Sequence, residues 1–266
     1  MKKTFKKFFY FLFRFYIPDC IKGHTFFLKK IREGDIIIDV GSNQGEFKTI
    51  LSSNKKDLLF SSIEFDQKFQ QTTANDKTFF VNKILSDKDG EEEINFVENK
   101  KNINYFGKLW TTTNDPNWDI IETKKFSSIS LKSFINLTKE KFKKKKISLI
   151  KLDIEGAELK ALRSLDDSDY LYIDQITLEF HDFMFLSLKK ETEEIIKIIQ
   201  NKGYYFFDFS LNEKLRDVLF IKKNKLNVIE RYLCLFFTSR RIKEYLKNES
   251  NFLRNYILLF YRNYHK

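Results

Sequence analysis

Apolar positions fall into short, dense runs rich in β-branched residues, and between them lie stretches whose apolar residues recur at helical spacing. Ile36–Val40, Leu58–Phe65, Thr78–Ile84, Leu149–Asp153 and Gln175–Phe180 read as strands, each followed by enough chain for a crossover. Such alternation predicts a mostly parallel sheet with helices on both faces. Thr192–Asn201 has helical spacing, Gly203 stands where a C-terminal cap glycine would, and Tyr204–Phe209 and Val218–Ile221 follow as two further strands. The sheet is therefore expected to close with a strand hairpin. A turn at Ser86–Gly90 leads into Glu93–Val97, whereas Glu98–Ser128 has weak periodicity and both tryptophans, and reads as a lid or substrate loop.

The chain has 266 residues, enough for one α/β domain with extensions. Composition changes character near Pro18 and Lys225. This divides the chain into a basic, aromatic helical extension over residues 1–25, a catalytic body over 26–225, and a second such helical extension over 226–266. Residues 1–16 carry five basic groups and no acid, and residues 226–266 carry eight against three acids, so the two ends hold +10 of the net +11. A nucleic-acid footprint on the body is not indicated. Two cysteines without paired spacing, Cys20 and Cys234, exclude a disulfide framework or cysteine-rich zinc site and suit a reducing cytoplasm. Phe8–Ile17 is too short to span a bilayer and is read as an amphipathic or buried segment.

Chemistry concentrates at three places. Gly34-Asp35-Ile36-Ile37-Ile38-Asp39-Val40-Gly41-Ser42-Asn43-Gln44-Gly45 runs from a buried strand into a glycine-bearing turn before a helix. That context suits a nucleotide-like ligand, with Gly41 and Gly45 letting backbone come close to it. The glycine spacing is not that of the nicotinamide and flavin fingerprint or of the lysine-containing phosphate loop. Glu64, about twenty residues beyond the turn, is placed to accept hydrogen bonds from ribose hydroxyls, with Phe65 beside it to flank a base; a solvated strand-end carboxylate is the plain alternative. The second place is Lys151-Leu152-Asp153-Ile154-Glu155-Gly156-Ala157-Glu158, which sets Asp153 and Glu155 at the carboxyl end of a strand, where open α/β sheets bind ligands. Glu158 suits the positive end of the following helix. The third, Glu179-Phe180-His181, would lie along the same edge.

These segments resemble the FkbM-type methyltransferase family, over roughly Gly34 to Ile221, with Lys151–Glu158 matching a Lys-Ile-Asp-x-Glu-Gly-x-Glu signature. The resemblance implies a Rossmann-like class I sandwich using S-adenosylmethionine. It further implies that Asp39, Gly41, Asn43 and Gly45 meet the amino-acid half of that cofactor, Glu64 its ribose, and Leu85, Ser86 and Asp87 its adenine, with Asp153 near the methyl group. The expected reaction is methylation of a hydroxyl on a sugar, glycan or related small molecule in polysaccharide biosynthesis. His181 is the leading base, with Asp153 or Glu155 as alternatives, while Mg2+ held by Asp153 and Glu179 is another way to acidify the alcohol.

Two other classes stay open. A nucleic-acid methyltransferase fits the basic ends, but residues 153–156 lack the Pro-Pro-aromatic stretch such enzymes use. A non-catalytic membrane-surface protein keeping the fold fits the termini, where Phe8, Phe9, Leu12, Phe13 and Tyr16 lie at helical spacing among bases. A helix packed on the core or on another subunit has the same pattern.

Overall fold

A computed structural model of the chain describes residues 16–69, 76–99, 109–111, 118–183, 186–210 and 215–239. Along the chain run β1 (Asp19–Ile21), β2 (His24–Phe26), β3 (Ile36–Val40), α1 (Glu46–Asn54), β4 (Leu59–Ile63), β5 (Thr78–Val81), β6 (Ile84–Ser86) and β7 (Gly90–Asn99). There follow β8 (Leu109–Thr111), β9 (Trp118–Ser130), α2 (Leu131–Phe142), β10 (Ile147–Leu152), α3 (Glu158–Arg163), α4 (Asp167–Tyr170) and β11 (Gln175–Leu178). The last are α5 (Lys189–Asn201), β12 (Tyr204–Asp208), β13 (Val218–Lys222) and α6 (Val228–Thr238).

The main sheet has the order β12-β13-β11-β10-β3-β4-β5. Neighbours pair in parallel from β11 to β5, and β13 is antiparallel to both β11 and β12. This is the expected Rossmann-like α/β sandwich, and the β12–β13 pair is its closing hairpin, with the later strand on the inside. Gly203 takes φ +89 after α5, the left-handed conformation in which a glycine ends a helix without a Cβ clash.

The dense apolar runs are explained by burial on both faces. On β3, Ile36, Ile38 and Val40 join the core formed with α2, α3 and α5, while Ile37 joins a second core with Leu149, Leu219, Ile221 and the Phe26–Phe27 segment. Asp39 follows Ile37 by two residues and so shares its face, and the parallel register sets Lys151 of β10 directly opposite.

Three expectations are revised. Residues 1–15 and 240–266, most of the two terminal extensions, lie outside the described residues, but residues 19–26 of the first form a β-hairpin packed on β11 and β13 rather than a helix. Second, Thr78–Ile84 is not one strand: the chain leaves the main sheet after Val81, and β6 belongs to a separate sheet ordered β6-β9-β7-β8. Asn82 makes the break, its side-chain amide donating to the carbonyls of Glu64 (2.8 Å) and Phe65 (3.1 Å). Third, much of the Glu98–Ser128 lid is strand, since β9 runs 13 residues and pairs with β7 along its length; residues 100–108 and 112–117 lie outside the described residues. No helix among the described residues is long and apolar enough to cross a membrane.

Candidate active site

The chain leaves β3 towards β4 on one side, while β10 leads to β11 on the other. Their carboxyl ends therefore part, and a cleft of about 1080 Å³ opens there. The cleft brings together Gly41, Asn43, Glu64, Phe65, Leu85, Asp153 and Glu155 of the expected site. Asp39 and Gly45 are not on its lining, nor are Ser86, Asp87 and His181.

The β3–α1 turn is built on left-handed residues, with φ +68 at Gly41, +45 at Asn43 and +77 at Gly45. Gly41 is required by the protein's own backbone, because a Cβ there would stand 1.9 Å from the carbonyl oxygen of Asp153. The crossing of the two loops is thus a second reason for glycine at a position that also lines the cleft. The N–H groups of Gly41 and Ser42 donate to the Ile63 carbonyl at 3.1 and 3.2 Å, and that of Asn43 donates to Glu64 Oε2 at 2.9 Å. They are thus satisfied inside the chain.

Glu64 is the organiser of this corner. Besides the Asn43 N–H, it accepts from the N–H groups of Phe65 (2.9 Å) and Asp66 (3.1 Å), so one carboxylate fixes the ends of both β3 and β4. Phe65 meets the Phe126 ring edge to face at 5.2 Å, which joins the main sheet to β9 and makes an aromatic wall. Leu85 extends that wall. The buried Ser86 hydroxyl instead turns to Glu92 and Asp87, and Asp87 is exposed away from the cleft.

Beneath the floor, Lys151 is held by the carbonyls of Val40 (3.1 Å) and Gly41 (2.8 Å), with Asp39 Oδ1 at 3.5 Å and Asp153 Oδ2 at 3.8 Å. Asp39 is wholly buried; burial pushes its carboxyl above the ordinary value, against the pull of Lys151 and His24. Burial acts on Asp153 in the same sense, but the hydrogen bond from His24 (Nε2 to Oδ2, 3.4 Å) and the charges of Lys151 and His24 outweigh it and hold Asp153 below the usual carboxylate range. His24 and Lys151, both on the cleft lining, were passed over in the sequence. Lys151 had a signal, a lysine inside the apolar run Ile147–Leu152; His24, in a short hairpin far along the chain, had none.

His181 lies beside this floor, almost fully buried. Its Nδ1 is 3.0 Å from Glu158 Oε1, and its Nε2 is 3.3 Å from Glu155 Oε2 and 4.0 Å from Glu179 Oε1. Burial alone would depress the imidazole, but the Glu158 and Glu155 carboxylates raise it well above its ordinary value. An imidazolium with both nitrogens facing acids is a clamp and a poor proton acceptor, which removes the chemical reason for choosing His181 as base. Glu158 also accepts from the N–H groups of Ile154 (2.9 Å) and Gly156 (3.1 Å), fixing the turn in which Glu155 takes φ +52. That left-handed conformation is uncommon outside glycine and turns the Glu155 carboxylate to the cleft.

Asp153, Glu179 and His181 each offer one ligand atom within 4.8 Å of the others, the spacing of a cation site. Arg216 donates to Glu179 at 2.8 Å and His181 is taken by Glu158 and Glu155, so these acids are already balanced by the chain's own cations. The arrangement does not call for Mg2+.

Solved structures with a similar fold share little sequence. The Methanococcus jannaschii fibrillarin pre-rRNA processing protein aligns at 10% identity over 72% of this chain and 68% of its own, with a TM-score of 0.37. Precorrin-6y C5,15-methyltransferase from Geobacter metallireducens aligns at 7% identity over 77% and 92%, with a TM-score of 0.35. The plantazolicin methyltransferase BpumL, in complex with a monoazolic desmethylPZN analog and SAH, aligns at 10% identity over 81% and 71%, with a TM-score of 0.31. No curated protein sequence matches the chain. Residues 39–206, which hold the β3 turn, Glu64, the Asp153–Glu158 turn and His181, match the methyltransferase FkbM domain, and the chain belongs to that family.

Proposed function

We propose that the protein is an S-adenosylmethionine-dependent O-methyltransferase acting on a hydroxyl of a sugar, glycan or related small molecule. The observation that carries this reading is the acid-edged cleft at the parting of β3 and β10, where Asp153 is held ionised within a site of nucleoside size or larger. Two features of the cleft support the cofactor: Ser42, on its lining, keeps a buried hydroxyl without a hydrogen-bond partner among the described residues, and Glu64 is the carboxylate assigned here to the ribose. Bound there, S-adenosylmethionine would supply a methyl group on a sulfonium cation.

The chain's own work is orientation and charge. Asp153 favours a cation over a neutral competitor, and Lys151 and His24 keep it charged and in place. Glu155, held from behind by His181, is the cleft carboxylate positioned to take the proton of an acceptor hydroxyl. Lys124, Lys125 and Ser127 line the cleft together with the rings of Phe96 and Phe126, a mixture that matches the polar edges and C–H faces of a sugar.

Calorimetric titration of the full chain with S-adenosylmethionine and with its demethylated product tests the reading, followed by incubation of labelled cofactor with sugar and glycan acceptors. Saturable binding of both, and label transfer to a hydroxyl, is expected. Failure to bind either would leave the fold without this chemistry and favour the non-catalytic surface protein.

A further inference from the structure

Helix α6 is amphipathic in the reverse of the usual sense. Its acid, Glu230, is buried and paired with Lys29 (2.7 Å) and Lys30 (2.9 Å), and Cys234 beside it is sealed in the second core. The outer face carries Val228, Ile229, Tyr232, Leu235 and Phe236, of which Val228 is 69% and Tyr232 68% exposed. Spacing of one, four, seven and eight residues from Val228 puts them in one stripe about 12 Å long. A contiguous apolar stripe of this kind marks a surface that meets something.

Its surroundings say what. Arg231 lies over the Tyr205 ring at 4.8 Å, with Lys223 over the same ring at 5.8 Å. At the helix start, Lys146 (2.8 Å) and Lys225 (3.0 Å) converge on a single buried acid, Asp174, and Lys222 adds a further charge there. An apolar stripe bordered by bases complements a lipid surface that offers acyl chains below anionic headgroups. We propose that α6 docks this protein on an anionic bilayer, lying in the plane of the interface with Val228, Ile229, Tyr232, Leu235 and Phe236 inserted and Lys223, Lys225 and Arg231 at headgroup level.

This inference does not depend on the reaction assigned to the cleft, and its test is separate. The full chain is co-sedimented with vesicles of phosphatidylglycerol and phosphatidylcholine, and with phosphatidylcholine alone, alongside a Leu235→Glu/Phe236→Glu variant. Both positions are exposed, so the variant should fold and melt like the parent. Expected are binding to the anionic vesicles only, weakening as salt shortens the screening length from about 10 Å towards about 3 Å, and a loss of partitioning of about tenfold or more in the variant. Absence of binding by the parent chain overturns the proposal. So does equal binding by parent and variant, which would assign the contact to another segment, or a dimer in light scattering that the variant abolishes, which would assign the stripe to a second copy.

Discussion

The Nδ1 atom of His181 stands 3.0 Å from Oε1 of Glu158, and both side chains are almost entirely removed from water. The pair links the end of β11 to the turn after β10, and a buried pair of this kind makes the folded state bind a proton that the unfolded chain releases more easily.

Because the folded value of His181 lies above the unfolded one, its contribution is complete below about pH 6.5 and is lost as pH rises through the higher folded value. Urea midpoints should therefore fall with rising pH above that point, and His181→Gln should flatten this part of the profile. Glu158→Gln, which leaves the imidazolium without its main partner, should cost about 3–5 kcal/mol. An unchanged pH slope in His181→Gln would show that the pair does not carry the proton.

Gly41 and Gly23 separate two effects. Both are left-handed, at φ +68 and +81, but a Cβ at Gly23 meets nothing within 4 Å, while one at Gly41 meets the Asp153 carbonyl. Gly23→Ala should show only the conformational cost of about 1–2 kcal/mol. Gly41→Ala should lower the melting temperature further, by roughly 5 °C or more, and weaken cofactor binding with it. Equal melting of the two variants would mean that the β3 and β10 loops give way at no cost.

Asp217 ties the β1–β2 hairpin to the main sheet, accepting from the Thr25 N–H (2.8 Å) and hydroxyl (2.5 Å). Burial pushes its carboxyl up to about 6 despite these hydrogen bonds. Raised above the unfolded value of 3.8, it favours the folded state below about pH 4, and that benefit disappears as pH rises through about 6. Asp217→Asn should remove this dependence, read as thermal stability between those limits; a variant that keeps the parent's slope would exclude Asp217 as its source.

Where one strand carried its own pattern, the sequence was readable: β3 and β10 are apolar because both faces are covered, and the acids after them had to fall at the sheet edge. What escaped reading depended on distant chain. Ile120 and Ile121 of β9 are neighbours on opposite faces and both exposed, so no alternation marks that strand, which exists because β7 pairs with it. Thr78–Ile84 looks continuous because its break lies in the bonds Asn82 makes to Glu64 and Phe65. His24 reaches the floor only because its hairpin packs on the face that Asp39 shares, and His181 could not be recognised as a clamp until Glu158 was seen to turn inward.

The Lys151 ammonium grips the two carbonyls that end β3 and stands between Asp39 and Asp153. These positions therefore form one unit of inheritance. Neutralising Lys151 alone strands a buried charge on Asp39, and neutralising Asp39 alone leaves the ammonium with only carbonyls and the cleft acid. Neither step is reached without loss, so positions 39 and 151 are expected to change only together, whereas Leu85 on the cleft wall, which has no charge to balance, can be replaced by another apolar residue by itself.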